Sequence, residues 1–445
     1  MTPQKLHVSR RRFLKSSVVA GAGLALPGWY AGELAAQEAP AIPRSANDKP
    51  GIALIGCGGM GRGNGNNALR FGEMRAVCDV DQGRLAAAKE QFAGAEAYTD
   101  FRKVLERDDV EVVICGTQDH WHALVSMGAM RAGKDVYCEK PLTLTIEEGQ
   151  RMVESQRATK RVLQTGSQQR SDSRFRLACE LVRNGRVGRL SRVAVRLPAG
   201  RHGGPFVETP VPEGLDWDLW LGPRERVPYV KEKCHGTFRY WYDYSGGTMT
   251  DWGAHHNDIA LWGMGLERSG PVRIEGRPRA EMIPGGYTAA SEYEVRYTYA
   301  NGVTHSCESV ASDGPDGRSR GREPGERGHG VTFEGSDGWI FVTRGQIEAS
   351  DPDLLETPLP ASAERLYVSN DHMGNFFECV RSRKAPVCDV EIGHRSATIC
   401  HLGVIAIRLG RELQWDPERE VFTGDSGLNA WKSREMRKPW TYDAV

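Results

Sequence analysis

Gly51-Ile52-Ala53-Leu54-Ile55-Gly56-Cys57-Gly58-Gly59-Met60-Gly61 decides the fold. A short, unbroken apolar run enters a G-x-G-x-x-G turn. Such a run reads as a strand buried on both faces, as in a parallel sheet. The glycines have separate tasks. Gly56 permits the tight turn, Gly58 lets backbone approach a pyrophosphate, and Gly61 lets the following helix pack on the strand. That helix, read at Asn66–Phe71, would aim free N–H groups and its positive dipole end at the phosphates. A second strand, Met74–Cys78, ends in Asp79, 18 residues past Gly61. The spacing suits an acid that holds a ribose hydroxyl. An acid there favours NAD over NADP, because it would repel a 2′-phosphate.

Outward from this stretch, strand and helix patterns alternate. Gln82–Phe92 and Asp100–Arg107 read as helices, Val110–Cys115 as a strand, and Ala123–Ala132 as a helix closed by Gly133. Asp135–Cys138 is a strand, Ile146–Thr159 a helix, and Val162–Thr165 a strand leading to Gly166-Ser167-Gln168-Gln169-Arg170. This alternation predicts a parallel, doubly wound sheet over residues 49–170. Val136-Tyr137-Cys138-Glu139-Lys140-Pro141 lies at its carboxyl edge, where ligands bind. The proline biases Lys140 toward extended backbone, so its ammonium has one fixed aim. Asp119-x-x-His122 resembles a metal pair but has no third ligand at suitable spacing, so no metal is expected.

Length predicts two domains, since 445 residues exceed one ordinary core. Lys plus Arg equals Asp plus Glu at 58 each, which gives no electrostatic reason to expect nucleic acid or an anionic membrane as partner. The ten cysteines show no zinc-like spacing and read as small buried hydrophobes.

Residues 171–445 read as a second domain. Phe175–Arg183 is a helix and Leu190–Leu197 a strand, followed by an aromatic, irregular stretch to residue 245. Gly246-Gly247 opens a helix on which Asp251, His255 and Asp258 share one face, at i, i+4 and i+7. Val272–Ile283, Glu292–Tyr299, Val303–Val310, Val331–Phe333 and Trp339–Thr343 predict a large, mostly antiparallel sheet with helices on one face. The stretch 312–330 is expected to be a mobile loop reaching over the site or a neighbouring subunit. His372–Ser382 and His394–Leu413 read as helices that dock back between the domains.

Residues 1–48 read as an address and linker. Ser9-Arg10-Arg11-Arg12-Phe13-Leu14-Lys15 precedes an apolar stretch, Val18–Pro27, and a small-residue cleavage zone, Leu34-Ala35-Ala36. This is the pattern of a twin-arginine export signal. Its apolar part is too short for a stable membrane anchor. The expected partner is the twin-arginine machinery, and the expected location is periplasmic or secreted. That route carries folded chains, which suits a protein that acquires a cofactor in the cytoplasm.

Taken together, the chain resembles the Gfo/Idh/MocA oxidoreductases. The matching pieces are the glycine loop, Thr117-Gln118-Asp119-His120-Trp121-His122, Ala132 to Pro141, and Gly246 to Asp258. One departure is Gln118, where the family often has proline. The resemblance implies NAD as cofactor, held by Gly56, Gly58, Gly59, Met60, Gly61, Asp79, Thr117, Asp119, His122, Glu139, Lys140 and Gln168. It implies Asp251 and His255 as catalytic residues beside Lys140. His255 would be the general base, Asp251 would orient it, and Lys140 would hold the reacting oxygen. The implied reaction is hydride transfer between nicotinamide and a carbinol carbon of a sugar or cyclitol, in a homodimer or homotetramer. Two alternatives stay open: a redox-assisted glycoside hydrolase or lyase with tightly bound NAD, and a non-catalytic sugar-binding protein.

Overall fold

The computed structural model describes residues 26–37, 49–310 and 328–443. The twin-arginine stretch, most of the expected linker and most of the expected mobile loop lie outside the described residues.

The first sheet has six parallel strands: β1 (Gly51–Ile55), β2 (Glu73–Cys78), β3 (Glu96–Tyr98), β4 (Val112–Cys115), β5 (Asp135–Cys138) and β6 (Leu163–Thr165). Their order is β3-β2-β1-β4-β5-β6, the doubly wound arrangement. β1, β4 and β5 are buried at every residue, as their unbroken apolar runs require. In register, Ile55 pairs with Cys115, and Cys115 with Cys138. The strand ends that carry the glycine loop, Thr117 and Lys140 therefore lie side by side.

The second sheet has nine strands: β7 (Leu190–Pro198), β8 (Arg273–Pro278), β9 (Tyr293–Thr298), β10 (Thr304–Val310), β11 (Gly330–Gly335), β12 (Trp339–Thr343), β13 (Gln346–Ala349), β14 (Leu413–Asp416) and β15 (Val421–Thr423). Their order is β13-β12-β11-β7-β10-β9-β8-β14-β15. Among the described residues only β7 and β10 pair in parallel; the other pairings are antiparallel. Burial alternates along β9 and β10, so this sheet covers the core with one face.

Several boundaries differ from the sequence reading. The first helix spans Gly59–Ala68 and starts inside the glycine loop. Its glycines have poor intrinsic helix propensity, but packing demands them: a Cβ on Gly65 would come within 2.9 Å of the Phe92 ring. The last long helix spans Val390–Leu409, capped by Asp389 and closed by Gly410 in the left-handed region. The predicted strand at 272–283 stops at Pro278, and the short strands β3, β13, β14 and β15 escape periodicity altogether.

The late helices join the two sheets. Met373, Phe376 and Phe377 of the helix His372–Ser382 pack in one cluster with Ile52 and Leu54 of β1. In the helix Val390–Leu409, the ring Nε2 of His401 lies 3.0 Å from the Thr143 carbonyl oxygen on the first domain's side. On the other side of the same helix, Tyr297 of β9 donates to the Ile399 carbonyl at 3.0 Å. Upstream, Gly28–Gln37 forms a helix where the sequence suggests a cleavage zone and the start of a linker.

Candidate active site

The chain leaves β1 through Gly56, whose φ is +91°. A Cβ there would lie 2.5 Å from the Gly116 carbonyl, and one on Gly61 would lie 1.9 Å from the Gly56 oxygen. Neither position has room for a side chain. Gly58 opens the helix Gly59–Ala68 without a side-chain cap, which leaves its first N–H groups for a ligand. Gly59 and Met60 form the exposed rim of the loop. Asp79 accepts hydrogen bonds from the N–H groups of Cys57 (2.7 Å) and Asp81 (2.9 Å), so it also ties down the loop. Burial raises its pKa. Gly56, Gly58, Asp79, Arg84, Thr117 and Gln118 line one cleft of about 490 Å³ including its open mouth.

Beside this cleft, Glu139 is buried and fully engaged. It accepts from Asn64 (2.7 Å), from Gln168 (3.1 Å) and from the Lys140 N–H (3.2 Å). Gln168 also donates to the Tyr137 hydroxyl at 3.1 Å. Glu139 thus joins the first helix, β5 and the end of β6 around the base of Lys140.

Lys140 reaches across to the second domain. Its Nζ forms an ion pair with Asp251 Oδ1 and lies 3.4 Å from the Asp251 carbonyl oxygen. Arg239 Nε approaches the same carboxylate oxygen at 3.3 Å. Burial by itself would raise the Asp251 pKa, but Lys140 and Arg239 outweigh it and hold the group below the usual carboxylate range. Asp251 is therefore an anion between two cations.

His255 is buried, and its Nδ1 has no hydrogen-bond partner. Desolvation, then the charges of Lys140 and Arg344, push its pKa well below the ordinary value. The ring is neutral at neutral pH. Its backbone oxygen accepts from Gln169 (3.1 Å), whose amide oxygen accepts from Arg344 Nε (3.2 Å).

The expected helix divides into Thr248–Asp251 and Gly253–Met264, with Trp252 between them keeping right-handed helical dihedrals. Among the described residues no hydrogen bond joins Asp251 to His255, so Asp251 orients Lys140 rather than the histidine. Asp258 forms a bidentate pair with Arg170 at 2.7 and 2.8 Å, accepts from Ser396, and is fully buried. His256 faces the interior, stacked on Trp252 and 3.4 Å from His329.

Two other expected cofactor contacts are pins rather than cleft walls. Asp119 is buried and accepts from the Ser245 hydroxyl at 2.6 Å. The ring nitrogens of His122 meet the carbonyl oxygens of Pro141 (2.8 Å) and Thr117 (3.2 Å). Together they fasten the Thr117 loop to the Lys140 turn and to the second domain. Cys115, His122 and Cys138 bring ligand-type atoms within 4.8 Å of one another, but His122 would have to surrender a carbonyl contact to bind an ion. Asn64, Arg239, Ser245 and Arg344 were not singled out from sequence. Arg239 is hidden among aromatics, and Arg344 lies in a hairpin turn far along the chain. Only the fold brings them here.

Comparison with known proteins adds to this geometry. Residues 7–27 match the twin-arginine translocation signal. Inositol 2-dehydrogenase of Salmonella typhimurium is 34% identical over 165 residues, which is 37% of this chain and 46% of that protein. A glycosyl hydrolase family 109 protein of Shewanella pealeana is 28% identical over 183 residues, 35% of this chain and 38% of that protein. The chain thus spans about half or less of the length of the curated relatives it matches. The WlbA dehydrogenase of Chromobacterium violaceum, solved with NADH and UDP-GlcNAcA, shares the fold with a TM-score of 0.61 at 19% identity, over 85% of this chain and 99% of that one. Residues 51–167 match the NAD-binding Rossmann fold of the Gfo/Idh/MocA oxidoreductases and residues 203–442 match the C-terminal α/β domain of the same family, so the chain belongs to that family.

Proposed function

We propose that the protein is an NAD-dependent oxidoreductase that transfers a hydride between nicotinamide and a carbinol carbon of a sugar or cyclitol. One observation carries the reading. A lysine at the edge of the nucleotide-binding sheet is fixed by an aspartate of the other domain, beside a histidine held neutral. The glycine loop fits a dinucleotide, because Gly56 and Gly61 leave backbone where any Cβ would collide. When bound, NAD supplies the hydride acceptor.

This chain's residues do the rest. An alcohol carbon releases hydride only as its O–H proton departs. His255, held neutral, accepts that proton. Lys140 directs two of its three N–H donors at Asp251, leaving one for the substrate oxygen, whose growing negative charge the ammonium stabilises. Asp251 and Arg239 hold that ammonium in place. Glu139, Asn64 and Gln168 fix the backbone from which it reaches out.

The cofactor preference is testable directly. With Asp79 beside the ribose end of the cleft, NAD is expected to bind about tenfold or more tighter than NADP, roughly 1.4 kcal/mol. Calorimetry on nucleotide-stripped protein measures both. Tighter NADP would show that Arg84, on the same cleft, overrides the acid.

The matched export signal favours a second reading, since free NAD is scarce outside the cytoplasm. An enzyme that oxidises a sugar, expels a glycosidic substituent and returns the same hydride would need no cofactor supply. The purified protein should be offered free sugars, cyclitols and aryl glycosides, with and without added NAD. The expected result is stoichiometric NADH and no released aglycone. Aglycone release at constant total NADH, with solvent deuterium beside the oxidised carbon, would replace the first reading by the second. In either case the protein works in the periplasm or beyond it, as a dimer or tetramer joined through the open face of the nine-stranded sheet.

A further inference from the structure

We propose that Tyr30–Gln37 is a strap retained by the mature protein, and that no exported form begins beyond Tyr30. The small residues Leu34-Ala35-Ala36 had suggested a cleavage zone. The backbone there is helical and continuous with Gly28–Gln37, whereas a peptidase needs extended chain in its cleft.

The helix is anchored in the second domain. Tyr30 is 2% exposed and belongs to the same apolar cluster as Phe175 and Ile259. Its hydroxyl accepts from Arg176 Nε at 2.8 Å. Arg176 is itself buried, and its two terminal nitrogens have no partner. Among the described residues Tyr30 is thus the only hydrogen-bond partner of that guanidinium. Trp29 Nε1 donates to the Leu355 carbonyl at 2.9 Å, and Glu33 pairs with Arg365 at 2.9 Å. Leu26 and Leu34 pack against the cluster from either side.

A chain beginning at Gln37 would lose all of these contacts. It would leave a hole the size of a tyrosine side chain in the core and a buried arginine with no hydrogen bond, both strongly destabilising. A twin-arginine substrate folds before it crosses the membrane, so the strap is already docked when a peptidase meets it. Apart from Leu26, the anchored residues follow directly on the matched signal, which ends at residue 27.

The full chain should be expressed with its own signal, recovered from the periplasmic fraction and its intact mass and N-terminal peptides determined. Every recovered form is expected to contain Tyr30. A mature N-terminus beyond Tyr30 would overturn the proposal. Independently, Tyr30→Ala in the full chain is expected to lower the Tm by about 5 °C or more, and Tyr30→Phe by less. An unchanged Tm for Tyr30→Ala would overturn the docking itself, whatever the N-terminus found.

Discussion

Lys140→Met is expected to lower turnover by about 100-fold or more while NAD affinity stays nearly unchanged. Two powers of ten correspond to about 2.7 kcal/mol of lost transition-state stabilisation. The methionine keeps most of the side chain's length and apolar stem and removes the charge and its donors. Asp251 retains Arg239, so the second domain keeps its side of the contact. His255→Ala should cost a similar factor by removing the proton acceptor. His256→Ala instead tests packing, because that ring is stacked on Trp252 in the interior. Steady-state kinetics and calorimetry on the three variants decide the matter. A dead but folded His256 variant beside an active His255 variant would exchange their roles. The pH profile has a defined sign. His255 has a depressed pKa, so its basic form persists through pH 6.5, and activity falls on the acid side only well below that value.

Asp258→Ala is expected to destabilise the fold by about 3–5 kcal/mol, because it strands the buried Arg170 without its counter-ion. Both side chains are almost completely buried, so water offers no substitute partner. Denaturant melts measure the loss. Replacing Arg170 and Asp258 together with apolar residues of similar bulk should recover much of it, since the desolvation cost of both charges disappears with them. If Asp258→Ala left stability intact and abolished turnover, Asp258 would belong with Asp251 and His255 in the chemistry after all.

Asp258 also shows where sequence reading reaches its limit. Helical spacing placed it on one face with Asp251 and His255, and spacing alone has no access to Arg170, 88 residues upstream. The first sheet was legible because its central strands β1, β4 and β5 are buried on both faces and leave uninterrupted runs. The glycine loop was legible because its residues answer to backbone geometry, which glycine alone satisfies. Asp119 and His122 were placed in the right neighbourhood, but their work is done on the Ser245 hydroxyl and on carbonyl oxygens, which no motif records. Arg239 and Arg344 come from irregular segments, and their meeting at the site depends on how the domains pack.

The salt bridge from Lys140 to Asp251 makes the rate a gauge of posture between two bodies. The ammonium belongs to one domain, and the group that aims it belongs to the other. A small rotation of either unaims the charge without disturbing the nucleotide cleft or the histidine. The helix Val390–Leu409 touches both bodies, on one side through His401 and on the other through Ile399. Substitutions along it are expected to slow the proposed reaction from a distance, while each half-site remains whole.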